Sequence, residues 1–193
     1  MLRGLYDWTM GLSAHPRALW ALAAVSFIES SIFPIPPDVL LIPMVLAAPT
    51  RAWKIAAVCT VASVLGGLAG YAIGWGLYET LGRPIIDFYG YGDKYAAFQA
   101  QYNEWGAWIV FGAGLTPIPY KVFTIASGVT DMNVVTFTVA SIISRGIRFF
   151  LVAALLWKFG PPIRTFIEAH LGKLTLIFFV LLLGSFVLVK FLI

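Results

Sequence analysis

Hydrophobic residues in this chain fall into long runs separated by short polar intervals. A helix needs about 20 predominantly apolar residues to cross the hydrocarbon core of a bilayer. Residues 51–79, rich in Ala and Gly, reach that length, and so do residues 133–159, interrupted only by Arg145 and Arg148. Residues 173–193 reach it too and are dominated by Leu, Val, Ile and Phe. The pattern predicts three transmembrane helices in a single membrane domain. Between the first two lies the most polar stretch, residues 80–105. It mixes Ile85, Ile86, Phe88, Tyr89, Tyr95, Phe98 and Tyr102 with charges and predicts an amphipathic segment lying on the membrane. Residues 1–16 predict a short interfacial segment carrying Leu2, Leu5, Tyr6, Met10 and Leu12. They do not read as a cleaved signal peptide, because Arg3 is followed by Asp7 and the first long apolar run begins only near Ala18.

Two further apolar segments are interrupted. Residues 17–48 carry Phe33-Pro34-Ile35-Pro36-Pro37-Asp38 at their middle, and residues 106–130 carry Leu115-Thr116-Pro117-Ile118-Pro119-Tyr120-Lys121. Proline lacks the N–H and clashes with the preceding turn, so these clusters break a helix. Broken backbone at membrane depth persists only where protein or water satisfies it. Each segment is either a kinked span or a re-entrant hairpin. The arms of the second are about 11 residues, roughly 16 Å of helix, which suits half-membrane arms and favours hairpins. The segments also look like copies. Pro34-Ile35-Pro36 matches Pro117-Ile118-Pro119 at an offset of 83, and the following spans match as Thr60-Val61-Ala62-Ser63-Val64 against Thr138-Val139-Ala140-Ser141-Ile142 at an offset of 78. Repeats built around broken helices are the general plan of secondary transporters. The expected fold is therefore all-α: two inverted re-entrant hairpins, each followed by a transmembrane helix, plus a C-terminal transmembrane helix.

Composition and charge agree. The 193 residues are 60% hydrophobic, 16% aromatic and only 11% charged, too few charges to cover a water-exposed surface. The net charge of +4 comes without a dense basic run, so nucleic acid is not an expected partner. The single cysteine, Cys59, excludes an internal disulfide, a Cys-rich metal site and an iron–sulfur cluster, and no cofactor or metal is expected. With re-entrant hairpins, one face holds Arg3, Arg17, Arg51, Lys54, Lys158, Arg164 and Lys173. The other holds Arg83 and Lys94 near Glu79, Asp87, Asp93, Glu104 and Asp131. The basic face is then cytoplasmic, and the three spans place the C-terminus outside.

Five ionisable residues fall within apolar segments: Glu29, Asp38, Lys121, Arg145 and Arg148. Such residues are costly at membrane depth, by about 2.5–3.5 kcal/mol on insertion scales, and usually face a cavity or a partner. Arg145 and Arg148, three residues apart, project from about the same helix face. Asp38 and Lys121 sit just past the two breaks, where a half-helix N-terminus attracts anions. Asp38 reads as an N-cap of the inner arm. Two negative and three positive charges leave a surplus of one, suited to one phosphate-bearing headgroup. The bland alternative is that Arg–acid pairs lock a hairpin to a span. Gly66, Gly70 and Gly74 lie on one face of their span and read as a tight packing surface, with sliding of a hairpin as the functional alternative. Trp53, Tyr71, Trp75 and Tyr78 read as interfacial anchors or packing.

These motifs resemble the DedA family, also called the SNARE-associated or VTT-domain family. The resemblance rests on Phe27-Ile28-Glu29-Ser30-Ser31, the first Pro motif, Gly66-Gly67-Leu68-Ala69-Gly70-Tyr71-Ala72-Ile73-Gly74, the second Pro motif and Ser144-Arg145-Gly146-Ile147-Arg148-Phe149. It covers roughly residues 17–160 and is nearest to the YqaA-like branch. It implies inverted re-entrant hairpins and lipid transport: return of undecaprenyl phosphate, phospholipid movement or scrambling, in some relatives with dependence on proton motive force. Glu29 and Asp38 match the family's acidic positions. Many members carry arginines three residues before and three after the second-hairpin proline. Here those places hold Gly114 and Tyr120.

The expected function is a multi-pass flippase or scramblase of the bacterial inner membrane. Glu29, Asp38, Lys121, Arg145 and Arg148 form its transport site, and Pro34, Pro36, Pro37, Pro117 and Pro119 form the hairpin breaks. Glu29 would pair with an arginine when the site is empty and release it to the phosphate. The expected partners are membrane lipids, with protons as a candidate coupled ion and a homo-oligomer as a candidate assembly. The alternative is a proton-coupled ion or small-solute transporter using Glu29 and Asp38. An enzyme is not expected. His15 and His170 lie near the interface without a neighbouring acid or Ser constellation, and no G-x-S-x-G or H-E-x-x-H motif occurs.

Overall fold

A computed structural model describes residues 17–32, 36–116, 118–160 and 162, and among them there is no strand. The interfacial segment 1–16, the span 173–193, and Pro34 and Pro117 of the two breaks lie outside the described residues. The helices run α1 (Ala18–Ser31), α2 (Asp38–Ala47), α3 (Ala52–Leu77), α4 (Arg83–Tyr89), α5 (Gly92–Leu115) and α6 (Tyr120–Val129), followed by α7 (Val134–Gly160). A short 3₁₀ turn, Pro49–Arg51, leads into α3.

Among the described residues, two helices are long and apolar enough to cross a membrane. One is Val134–Gly160, and the other is the continuous stretch Pro49–Tyr89 that contains α3. The helix continues past residue 79, where the apolar run ends. A π-helical turn, Tyr78–Gly82, carries it directly into α4. It ends where Gly90 takes a left-handed conformation, φ 68°, with the Tyr91 amide donating back to the Ile86 carbonyl, a glycine-type helix terminus. Likewise, no boundary separates residues 80–105 from 106–130. A single 24-residue helix, α5, runs through the junction. Polarity changes there, but no breaker interrupts the backbone.

Both proline clusters interrupt helix as expected, between Ser31 and Asp38 and between Leu115 and Tyr120. The inner arms, α2 and α6, have 10 residues each, about 15 Å and half the thickness of the hydrocarbon core. Both double back on their outer arms. Ala18 and Leu22 at the start of α1 share a core cluster with Leu41, Met44 and Val45 of α2 and with Ala52, Ile55 and Ala56 at the start of α3. At the far end of α6, carbonyls that lack a helical partner are taken up by α5 and α3. Tyr95 donates to Val129, Gln99 and Asn103 to Thr130, and Tyr71 to Met132. Burial, and then the neighbouring Tyr78 hydroxyl, hold the Tyr95 phenol above its ordinary pKa, so it stays a donor. Asn133 caps α7, accepting from the amides of Val135 and Thr136 at 3.0 Å each.

The long helix α3 forms the centre, and its glycines set the spacing. A side chain at Gly66 would meet the backbone of Phe27 in α1, and one at Gly74 the backbone of Ile125 in α6. Gly70 lies between, against the Thr124 side chain and the Ser30 carbonyl. Gly128 of α6 reciprocates against the backbone of Tyr71. The packing reading of this stripe is the one the structure supports, with one arm from each helix–break–helix unit seated on it. Trp53 stacks on Phe150 at 6.1 Å and lies 6.0 Å from Trp157, joining the start of α3 to the end of α7.

Candidate functional site

Four of the five residues expected to form a site, Glu29, Asp38, Arg145 and Arg148, pair up where α7 passes the two breaks. Arg145 and Arg148 start from one helix but serve different arms. Arg145 reaches the outer arm of the first unit: its Nη2 donates to Glu29 Oε2 at 3.0 Å, and its Nε donates to Ser63 Oγ on α3 at 2.6 Å. Ser30 Oγ donates to Glu29 Oε2 at 3.1 Å and lies 2.7 Å from Ser63 Oγ. With the Ser30 hydrogen committed to Glu29 and Ser63 accepting from Arg145, the Ser63 hydrogen points to Ser30. Glu29, Ser30, Ser63 and Arg145 thus form a closed ring of hydrogen bonds. The guanidinium also lies between two aromatic rings, 4.9 Å from the Tyr120 centroid and 4.7 Å from that of Phe149, a cation–π arrangement. The Arg145 side chain is 3% exposed and that of Glu29 15%. With Nε and Nη2 bonded and aromatic rings beside it, breaking this buried pair is costly.

Arg148 stands between the two breaks. Its Nη2 donates to Asp38 Oδ2 at 2.7 Å, and its Nη1 donates to the Thr116 carbonyl at 2.9 Å. One guanidinium therefore joins the first residue of α2 to the last residue before the second break. Here both side chains are partly open, 23% for Arg148 and 21% for Asp38. The N-cap role expected for Asp38 is corrected. Pro37 occupies the cap position and Asp38 is the first helical residue, with no side-chain cap bond. Its carboxylate is drawn to Arg148 instead, because a charge-assisted bond is about twice as strong as a neutral one. It still lies at the positive end of α2.

Lys121 lies in the first turn of α6, half-buried. Among the described residues it makes no ion pair. Pro36, Pro37 and Pro119 flank the breaks as expected. The arginine paired with Glu29 is Arg145, with Arg148 assigned to Asp38. Gly114 and Tyr120, the places where the resemblance led to expecting hairpin arginines, both abut this group. A side chain at Gly114 would meet Ser144 and approach the Arg145 stem, and Tyr120 lies under the Arg145 guanidinium. The positive charge stands beside both positions but comes from the span.

Several participants escaped the sequence reading: Ser30, Ser63, Tyr120, Phe149 and the Thr116 carbonyl. One signal was present. Ser63 and Ser141 occupy matching places in the repeated spans. Ser63 accepts from Arg145, and Ser141 accepts from the Tyr120 hydroxyl. At the same offset of 78, Arg145 and Arg148 stand where the first span has Gly67 and Gly70. The two spans thus divide the work, one offering a smooth seat and the other the charge.

Comparison with known proteins bears on the family. The family model described as the VTT domain matches residues 35–158. An uncharacterized protein of Haemophilus influenzae is 44% identical over 168 residues, covering 85% of this chain and 87% of that protein. A homologous uncharacterized protein of Histophilus somni is 41% identical over the same length, with the same coverage of each chain. No solved structure gave a significant match. A family match over well over half of the chain, helices of membrane-spanning length and buried charges gathered at two proline breaks lead to one conclusion: this chain is a membrane protein of the VTT-domain, or DedA, family.

Proposed function

We propose that this protein is a lipid transporter of the bacterial inner membrane, a flippase or scramblase that moves a phosphate-bearing lipid between leaflets. The observation that carries this reading is the convergence of Glu29, Asp38, Arg145 and Arg148 beside two half-length inner arms. In this reading both helix–break–helix units are re-entrant hairpins. Support comes from α2 ending in the cluster that holds the starts of α1 and α3, and from α6 running back along α5. The headgroup enters between the hairpins while its tails stay in lipid. Its phosphate meets the partly open Arg148 and Lys121, which has no ion-pair partner among the described residues; both cations suit phosphate. No hydrolytic chemistry forms part of the proposal.

The test is movement of a fluorescent phospholipid in liposomes. Wild-type protein is expected to accelerate it, and a Glu29→Gln, Arg148→Ala double variant to lose that activity. Equal rates for the two would overturn the site. Uptake of a soluble ion or solute without lipid movement would replace the reading with a proton-coupled solute transporter.

A further inference from the structure

The two acid–arginine pairs differ in a way that the proposed function does not require. In Glu29–Arg145 the guanidinium is enclosed, with two serine hydroxyls in the ring of bonds, two aromatic faces and 3% exposure against 15% for the carboxylate. Asp38–Arg148 has no hydroxyl or ring partner among the described residues beyond the Thr116 carbonyl, and both side chains are more than a fifth exposed. An incoming anion has access to the second pair and not to the first. Asp38 also holds Arg148 through one carboxylate oxygen, at 2.7 Å, at the start of a helix whose dipole favours any anion there.

We infer that Asp38 is an internal stand-in for the substrate's phosphate. Its carboxylate occupies Arg148 when the site is empty, is displaced by a phosphoryl oxygen on loading, and reclaims Arg148 to expel the lipid. Glu29–Arg145 takes no part in this exchange and keeps α1, α3 and α7 in register. This deepens the lipid-transport reading and rests on it for the identity of the anion's carrier. The exchange needs only the Asp38 and Arg148 side chains to move, because α6 is held at both ends. The far end of α6 is pinned through Val129, Thr130 and Met132 by Tyr95, Gln99, Asn103 and Tyr71. Its break end is held by Tyr120, which is fully buried and donates to Ser141 Oγ of α7 beneath the Arg145 guanidinium.

An internal competitor lowers apparent affinity by the fraction of time it holds the site, so its removal tightens binding. The experiment measures binding of dioctanoyl phosphatidic acid and of inorganic phosphate to purified full-length protein in a neutral detergent, alongside translocation of fluorescent phosphatidylglycerol in liposomes. For Asp38→Asn, affinity for the phosphatidic acid should rise about tenfold while translocation falls, because the expelling group is gone. Asp38→Glu should restore both toward wild type, and Arg148→Gln should abolish binding. If Asp38→Asn binds equally or more weakly while wild type still moves lipid, the stand-in role is overturned and the transport reading survives. If inorganic phosphate binds with the same Asp38 dependence but no lipid binds or moves, the exchange stands and the lipid reading falls. If wild type binds neither probe, both are overturned.

Discussion

At the residue scale, the Arg145 network makes the strongest energetic statement. Removing one member of a buried ion pair leaves an uncompensated charge, at a cost of about 3–5 kcal/mol. Arg145→Gln and Glu29→Gln should therefore each lower the thermal midpoint in detergent sharply, the first leaving the Glu29 carboxylate and the second the 3% exposed Arg145 guanidinium without its partner. Combining the two should recover part of the loss, since neither charge then remains. An Arg145→Gln protein unfolding at the wild-type temperature would refute the arrangement. That Glu29 would find an arginine was legible in the sequence, because an acid and two bases in apolar segments need partners. Which arginine was not. Residues three apart on a helix point roughly 60° away from each other. That angle sends Arg145 to α1 and α3 and Arg148 to the two breaks. The Thr116 carbonyl was invisible for a different reason: every residue has one, and only tertiary position shows which needs a donor.

At the element scale, α3 acts as the seat for both helix–break–helix units, and its glycines differ in consequence. Gly74→Ala and Gly128→Ala place a methyl against backbone that cannot swing aside, so each should cost about 1–3 kcal/mol. A methyl added at Gly76 would have nothing within 4 Å, and Gly76→Ala should stabilise by about 0.4–1 kcal/mol. Thermal unfolding of the three variants side by side checks the contrast. Tyr71→Phe should cost about 1–3 kcal/mol, because the Met132 carbonyl loses its donor. The i, i+4 spacing of Gly66, Gly70 and Gly74 announced a packing stripe in the sequence. It did not say that one stripe would serve two units. The boundaries near 79 and 105 were drawn where polarity changes. Polarity reports the surroundings of a helix, while Gly90 and the proline clusters report where the backbone stops, and the backbone followed the latter.

For the whole molecule, the testable consequence is sidedness. If the first unit is re-entrant, cysteines placed at Arg17 and Thr50 should react with a membrane-impermeant thiol reagent from the same side of the membrane. Cysteines at Asp93 and Asp131 should react from the other. Cys59 is fully buried and should contribute no background, which an unmodified control verifies. Labelling of the Arg17 and Thr50 positions from opposite sides would make the first unit a kinked span and remove the inverted symmetry. The Trp53–Phe150 and Trp53–Trp157 contacts put the start of α3 and the end of α7 at one level, beside Lys54 and Lys158. Arg51 lies at the same end of α3. This fits the basic-face orientation drawn from the chain alone.

The sequence by itself determined the membrane class, the family, the two breaks and the set of charges at stake. The family follows from the resemblance of its motifs, and the rest from local chemistry: run length, the missing proline N–H, and the cost of a charge in hydrocarbon. Tertiary structure alone decided the pairing. Whether an arginine is locked or available depends on what surrounds its guanidinium, and for Arg145 those neighbours come from four separate helices. Arg148 differs from it only in facing the gap between the breaks, a position that no spacing along the chain specifies.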